Sequence, residues 1–448
     1  MKKLLFFAAA YFFYTGLQAQ KPAVNQPIPS PRQLAWQKMD YYFFVHFGPN
    51  TFTDLEWGKG TEPEDVFNPT NLDCGQWCRI AKAAGAKGII ITAKHHDGFC
   101  LWPSKYSTHT VAQSKWKDGK GDVLRELSDS CKKYGLKMGV YLSPWDRNHP
   151  QYGTPAYNDV FVNMMKEVVS NYGPFFEFWW DGANGEGPNG KKQVYDWQRF
   201  KQTMRSIAPN TVVFSDIGPD ARWVGNEKGF AGDPDWNTLD TAGFTPGLGA
   251  PSQDTLNHGN VYGKVWIPAE CDVSIRPGWF YHIEEDEKVK PPEELFQLYL
   301  KSVGRGANLL LNVPPDRNGV INAHDSAALV GFKALRDESF TKAIADKKFK
   351  AASSTYTIPL GRKQKINCII LQEDIATGQK IKAFTVQLLQ NGKTVNELHG
   401  HTVGKKRILS FTATEADTFT VKIDDAKATP LLNEIAAYLI DEGLVEKE

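Results

Sequence analysis

Short apolar runs separated by helix-patterned segments recur from Asp40 to about Arg336, and this alternation constrains the fold more than any other feature. The runs are YYFFVHF at 41–47, GIIITAKHH at 88–96, LKMGVYLSP at 136–144, PFFEFWWDG at 174–182, TVVFSD at 211–216, KVWIPAE at 264–270 and NLLLNVPP at 308–315. Between them, Asp73–Ala84, Asp122–Tyr134, Ala156–Asn171, 193–207, 292–303 and 322–336 carry helical patterns. Nearly continuous apolar strands alternating with helices mean a parallel sheet covered by helices. Asp73 and Asp122 are placed to cap helix starts, and Gly85 and Gly135 to end helices. Seven strands are legible and an eighth is indistinct. The pattern predicts an α/β chain with a (β/α)8-like (TIM) barrel, regular or irregular, over 20–344. An open doubly wound sheet is the alternative, but the chain lacks a glycine-rich first turn of the dinucleotide-binding type.

A second regularity concerns strand ends. His46 closes the first run, His95 and His96 the second, Asp181 the fourth and Glu270 the sixth. Residues with chemistry at the same end of successive strands gather around one rim, where barrel enzymes build their sites.

The flanks differ from this body. Lys2 and Lys3 precede an apolar run from Leu4 to Tyr14, and a short polar stretch ends at Ala19 and Gln20. This pattern predicts a signal peptide over 1–19 and a chain exported to the periplasm or beyond. The run is too short for a comfortable membrane span, so stable insertion is not expected. Past residue 345 the helical periodicity fades. Alternating segments at 381–390, 406–413, 418–423 and 434–442, with an Asn391-Gly392 hairpin signal, predict a small β-sandwich over 345–448. Structural or lid-like packing against the barrel is its expected role, with sugar binding as the alternative.

Lys plus Arg is 52 and Asp plus Glu is 51, so no basic excess exists to neutralise a phosphate backbone, and nucleic acid is a poor partner. Aromatics reach 12%, enough to supply sugar-stacking platforms as well as core. The six cysteines, Cys74, Cys78, Cys100, Cys131, Cys271 and Cys368, read mostly as buried thiols, with Cys100 the one placed to pair with a neighbour. They lack zinc-ribbon spacing. DPDWNTLD at 233–240 has acidic spacing like a calcium loop, but Thr238 stands where a tight glycine is needed and the twelfth-position Glu is missing. His46, His95, His96 and Asp181 are types a metal hydrolase would gather, but no HxH or HExxH spacing accompanies them. No metal or cofactor is expected.

Asp181 is the strongest chemical candidate. It leaves an aromatic strand beside Trp179 and Trp180 and precedes Gly182. An ionised carboxylate there can attack the anomeric carbon of a sugar. Retaining hydrolysis needs a second carboxyl about 5–5.5 Å away, acting as acid and then base. Glu227, in the loop RWVGNEKGF, is the first choice and Glu270 its rival. Glu56 is a third carboxylate, suited to hold sugar hydroxyls. His95 and His96 can hydrogen-bond hydroxyls as donor or acceptor. Trp57, Tyr141, Trp179, Trp266 and Trp279 offer aromatic faces. The run DVSIRPGWFYH at 272–282 sets Arg276, Trp279 and His282 in one stretch that can wall the sugar pocket.

The sequence strongly resembles the family 29 α-L-fucosidases. The matching pieces are HFGPNTFTDLEW (46–57), ITAKHHDGF (91–99), GVYLSPWDRN (139–148), FEFWWDGANG (176–185), RWVGNEKG (222–229) and WIPAECDVSIRPGWFYH (266–282). The resemblance implies retaining exo-hydrolysis of terminal α-L-fucose without a cofactor. It implies Asp181 as nucleophile and Glu227 as acid/base. It also implies fucose contacts from His46, Glu56, His95, His96 and Tyr141, with Trp279 near the pocket. RWVGNEKG and PAECDVSIRPGWFYH look like the subgroup selective for α-1,3 and α-1,4 linkages on Lewis-type glycans. A broad-specificity fucosidase and a non-catalytic glycan-binding barrel are the competing readings.

Overall fold

The computed structural model describes residues 26–246 and 249–446. The expected export segment, 1–19, lies outside the described residues.

Eight parallel strands close a barrel. They are β1 (Tyr41–Val45), β2 (Gly88–Lys94), β3 (Lys137–Leu142), β4 (Glu177–Trp179), β5 (Val212–Ser215), β6 (Ala221–Trp223), β7 (Ala269–Ser274) and β8 (Asn308–Asn312). Each pairs in parallel with the next, and β8 returns to β1. The helices form where the caps allow. Asp73 accepts from the Gln76 N–H at 2.8 Å to start Cys74–Ala83, and Asp122 accepts from the Arg125 N–H at 2.9 Å to start Val123–Tyr134. Gly135 ends the latter in the left-handed region at φ +71°, a conformation that costs glycine little.

The barrel is irregular between β5 and β7. No helix separates β5 from β6, and the link is only residues 216–220. The indistinct eighth strand is β6, in a stretch that reads as loop because it is three residues long. The expected strand at 264–270 divides: Val265–Trp266 pairs antiparallel with Thr238–Leu239, and the barrel strand begins at Ala269. Glu227 therefore follows β6 rather than β5.

Alternation along each strand sorts the side chains. Tyr42, Phe44, Ile90, Tyr141, Trp179, Phe214 and Leu310 share the cluster inside the barrel, while Phe43, Ile91, Val140 and Trp180 join the outer core under the helices. The helix Pro31–Gln37 packs beneath the barrel. Its Trp36 indole donates to Glu177 at 2.7 Å, and Gln33 donates to the carbonyls of Asp220 and Trp266. Trp266 itself is core, its indole donating to Gln37 at 3.3 Å.

Six antiparallel strands follow, β9 (Ala345–Lys348), β10 (Thr355–Glu373), β11 (Ile381–Gln390), β12 (Lys393–Gly400), β13 (Arg407–Ala426) and β14 (Leu432–Tyr438). The long β10 and β13 shift register along their length, and the sandwich-like domain they build has its own core around Ile358, Ile369, Phe384, Phe419 and Ile435. It docks at the foot of the barrel. Lys405 donates to Asp40 at 2.9 Å and to the Gln37 carbonyl at 2.8 Å, and also bonds Asn308; Lys406 donates to Asp40 at 2.6 Å. Asp40 precedes β1 and Asn308 opens β8, so these contacts lie at the end of the strands opposite the rim. That placement corrects the lid-like expectation. The calcium-like run is also claimed by the protein: Asp233 pairs with Arg407, and Asp235 with Arg222 at 2.9 Å. All six cysteines are buried free thiols, with the sulfurs of Cys78 and Cys131 3.8 Å apart. Among the described residues no helix is long and apolar enough to cross a membrane.

Burial opposes the charge on Asp40, but Lys405 and Lys406 outweigh it and hold the carboxyl well below the usual carboxylate range. Such a group stabilises the fold above the ordinary aspartate value and loses that effect as the pH falls. Asp40→Asn leaves two lysines without their anion, so we expect a loss of about 3 kcal/mol at neutral pH, read by urea unfolding. The gap between wild type and variant should shrink below about pH 4; a gap independent of pH would contradict this account.

Candidate active site

The rim gathers residues from most of the barrel into one cavity of about 210 Å³. Phe44 and His46 come from the end of β1, Glu56 and Trp57 from the loop after it, and His95 and His96 from the exit of β2. Tyr141 stands on β3, Trp179 and Asp181 at β4, Glu227 in the loop after β6, Asp272 on β7 and Trp279 in the loop that follows. Trp179 forms part of the wall, stacked on Phe214 at 4.1 Å and on Tyr141 at 5.3 Å.

Asp181 Oδ1 accepts from the Ala183 N–H at 2.8 Å, and Oδ2 accepts from the Tyr141 hydroxyl at 3.0 Å. Burial pushes this carboxyl above its ordinary value, and the two hydrogen bonds oppose that by favouring the anion. A Cβ on the following Gly182 would lie 2.1 Å from the Asp216 carboxylate, which would have to shift to admit it.

The histidines are held neutral. Burial pulls His46 down to about 4, His96 to about 3 and His95 well below its usual value. Their partners fix two tautomers. Asn312 spends its amide N–H on Ser274 and the Trp279 carbonyl, so its oxygen accepts from Nδ1 of His46 at 2.8 Å. Ser143 donates to the Trp145 carbonyl, so its oxygen accepts from Nδ1 of His96 at 2.8 Å. Both rings keep Nε2 as an acceptor, and His96 Nε2 lies 3.7 Å from Asp181. Neutral imidazole acceptors beside a carboxylate suit a polyhydroxylated ligand, whose hydroxyls donate.

Glu56 clamps the wall opposite. It accepts from the Trp279 N–H at 2.8 Å, the Phe280 N–H at 3.2 Å and His282 Nε2 at 2.7 Å. His282 Nδ1 reaches Asp54 at 2.6 Å. Burial lowers His282, but Glu56 and Asp54 outweigh it and raise it above the ordinary imidazole value. Gly278 lets the loop close on the carboxylate, since a Cβ there would lie 2.6 Å from Glu56 Oε1. Glu227 is exposed, its carboxylate 3.4 Å from the Trp279 indole nitrogen. Trp57, 57% exposed, stands edge-on to His96 and Trp145 at the rim.

Two residues expected at the pocket, the rival acid Glu270 and the wall residue Arg276, lie elsewhere. Glu270 is fully buried and accepts from Tyr42 and from the Trp179 indole at 2.8 Å. Burial pushes it up to about 7 and pushes facing Glu177 well above its usual value, so this coupled pair retains protons near neutrality. Glu270 supports the Trp179 wall and does not line the cavity. Arg276 is buried against Asp325 at 3.0 Å and Asp286 at 2.9 Å, and stacks over Tyr281. Two carboxylates claim its guanidinium, so it anchors the wall to the helix Ala323–Phe340. Conversely, Asp272 lines the cavity without having been singled out by sequence; the period-two step from Glu270 was the signal.

Residues 33–333 match the family model described as Alpha-L-fucosidase. Alpha-L-fucosidase 1 of Arabidopsis thaliana is 38% identical over 95% of this chain and 90% of its own length. The Oryza sativa protein named as alpha-L-fucosidase 1 is 40% identical over 91% and 84%. A crystal structure of a glycoside hydrolase 29 family member from an unknown rumen bacterium superposes with a TM-score of 0.86 at 40% identity, covering 93% of this chain and 78% of that one. A Ruminococcus gnavus family 29 fucosidase in complex with fucose gives 0.83 at 29% identity, covering 96% and 98%. With the family model spanning more than half of its residues, the chain belongs to the α-L-fucosidases of glycoside hydrolase family 29.

Proposed function

We propose that the protein is a retaining exo-glycosidase that releases terminal α-L-fucose from α-1,3/1,4-fucosylated, Lewis-type glycans. The observation that carries the reading is the shared cavity: a half-buried carboxylate just past β4 and an exposed one after β6 line a space of about 210 Å³ with three neutral histidines.

Asp181 attacks the anomeric carbon as Glu227 protonates the departing oxygen, giving a β-linked fucosyl-enzyme. Glu227 then takes a proton from water, the water attacks the same carbon, and the Asp181 ester bond breaks to give α-L-fucose. The Tyr141 hydroxyl and Ala183 N–H position the nucleophile. His46 and His96 accept sugar hydroxyls at Nε2, and Glu56 holds Trp279 in place. Phe44 and Trp279 offer apolar surface to the methyl group that fucose carries at carbon 6. A single-sugar cavity suits exo action. Exposed Glu227 reaches the leaving oxygen from the rim, and exposed Trp57 is placed to stack on a neighbouring sugar. The stretches RWVGNEKG and PAECDVSIRPGWFYH support the 1,3/1,4 preference, and the two lysines at its N-terminal apolar run support export.

Asp181→Gly should lower fucose release from a branched trisaccharide by at least about 10³-fold while the circular dichroism spectrum is unchanged; turnover near wild type would remove Asp181 as nucleophile. Glu227→Ala should lose on the order of 10²–10⁴-fold on the same substrate, and far less on an aryl fucoside with a good leaving group. Azide should speed that aryl reaction and yield α-fucosyl azide. On a panel of linkage isomers, we expect release from 1,3 and 1,4 linkages and little from 1,2; comparable rates on all three would point to the broad-specificity reading.

A further inference from the structure

Three inward-facing residues of β7 follow one another at period two: Glu270, Asp272 and Ser274. The outer two are satisfied by the protein. Glu270 accepts from Tyr42 and Trp179, and Ser274 donates to the Gly278 carbonyl and accepts from Asn312. Asp272 differs. It is 5% exposed, it lines the cavity that holds Asp181 and Glu227, and its Oδ1 has no hydrogen-bond partner. Trp223 on β6 is its hydrogen-bonding neighbour, and the charges that act on it most are Glu227 and Glu270, both of its own sign.

A buried carboxyl among acids is expensive as an anion and is driven to the neutral form, in which it carries a proton to donate. Burial, then Glu227 and Glu270, push Asp272 well above the ordinary aspartate value. An unpaired buried polar atom is itself costly and is uncommon in native folds. Here it occurs, as it does at His95 Nδ1, on the wall of the cavity that joins the nucleophile to the exposed carboxylate. We propose that Asp272 is a further substrate-contacting residue, whose unpaired carboxyl oxygen is satisfied by a hydroxyl of the bound sugar. The proposal rests on the fucosidase reading. It makes the β7 wall a polar reader of the fucose ring, complementing the histidines across the pocket, and separates this function from the acid/base work of Glu227.

The test is competitive binding of fucose and of its 2-, 3- and 4-deoxy analogues to wild type, Asp272→Ala and Asp272→Asn, with an aryl fucoside as reporter. Asp272→Ala should weaken fucose binding by about tenfold, the size of one lost hydrogen bond. One deoxy analogue should then bind the Ala variant as well as fucose does, while still binding wild type about tenfold more weakly. The Asn variant, which keeps the shape and an N–H donor, should restore affinity to within about threefold. Unchanged fucose affinity in Asp272→Ala would overturn the proposal, as would an equal loss on all four sugars, the mark of a purely structural role. Wild type that neither binds nor releases fucose would instead sink the fucosidase reading, and this proposal with it.

Discussion

A residue on a strand of a closed barrel has only two destinations, the interior or the helix layer. That constraint organises everything that follows in this molecule. Trp179 turns inward and becomes a wall of the cavity, while its neighbour Trp180 turns outward into the core under the helices. Glu177 and Glu270 turn inward too deeply to meet solvent and are forced to share protons with each other and hydrogen bonds with Trp36, Tyr42 and Trp179. Only toward the rim half of the strands, and just past their ends, does an inward residue face an open space. Asp181 lies just past such an end, which is why it is half-buried and still reachable.

Much of this was legible in the linear chain. The strands at 41–47, 88–96 and 308–315 announce themselves because their apolar runs are nearly unbroken, and the helix starts at Asp73 and Asp122 because an aspartate precedes each periodic segment. The recurrence of His46, His95, His96 and Asp181 at strand exits pointed to one rim. What escaped has physical reasons. β6 is three residues long with no helix before it, too short for any periodicity to register. The stretch 264–270 reads as one strand because both its halves are extended, although a two-residue ribbon and a barrel strand divide it. Arg276 and Glu270 looked like pocket residues by type and neighbourhood, but the partners that claim them, Asp325 and Asp286 for one and Tyr42 and Trp179 for the other, are distant in sequence.

The electrostatics of the cavity follow from desolvation more than from any one charge pair. Burial discharges the three histidines and raises Asp181, Asp272 and Glu270 together. Local hydrogen bonds then differentiate the acids. Asp181 accepts from an N–H and a hydroxyl, which favours its anion, whereas Asp272 faces other carboxyls. Two aspartates at one mouth are thereby raised to different extents by their surroundings, Asp272 further than Asp181.

The docking of the C-terminal sheet through Asp40, Asn308 and Lys405 has a practical side. Because that sheet grips the base of the barrel, a chain tethered by it, whether to a resin or to a fused partner, would present its catalytic opening outward. Bulky branched glycans could then approach without meeting the support.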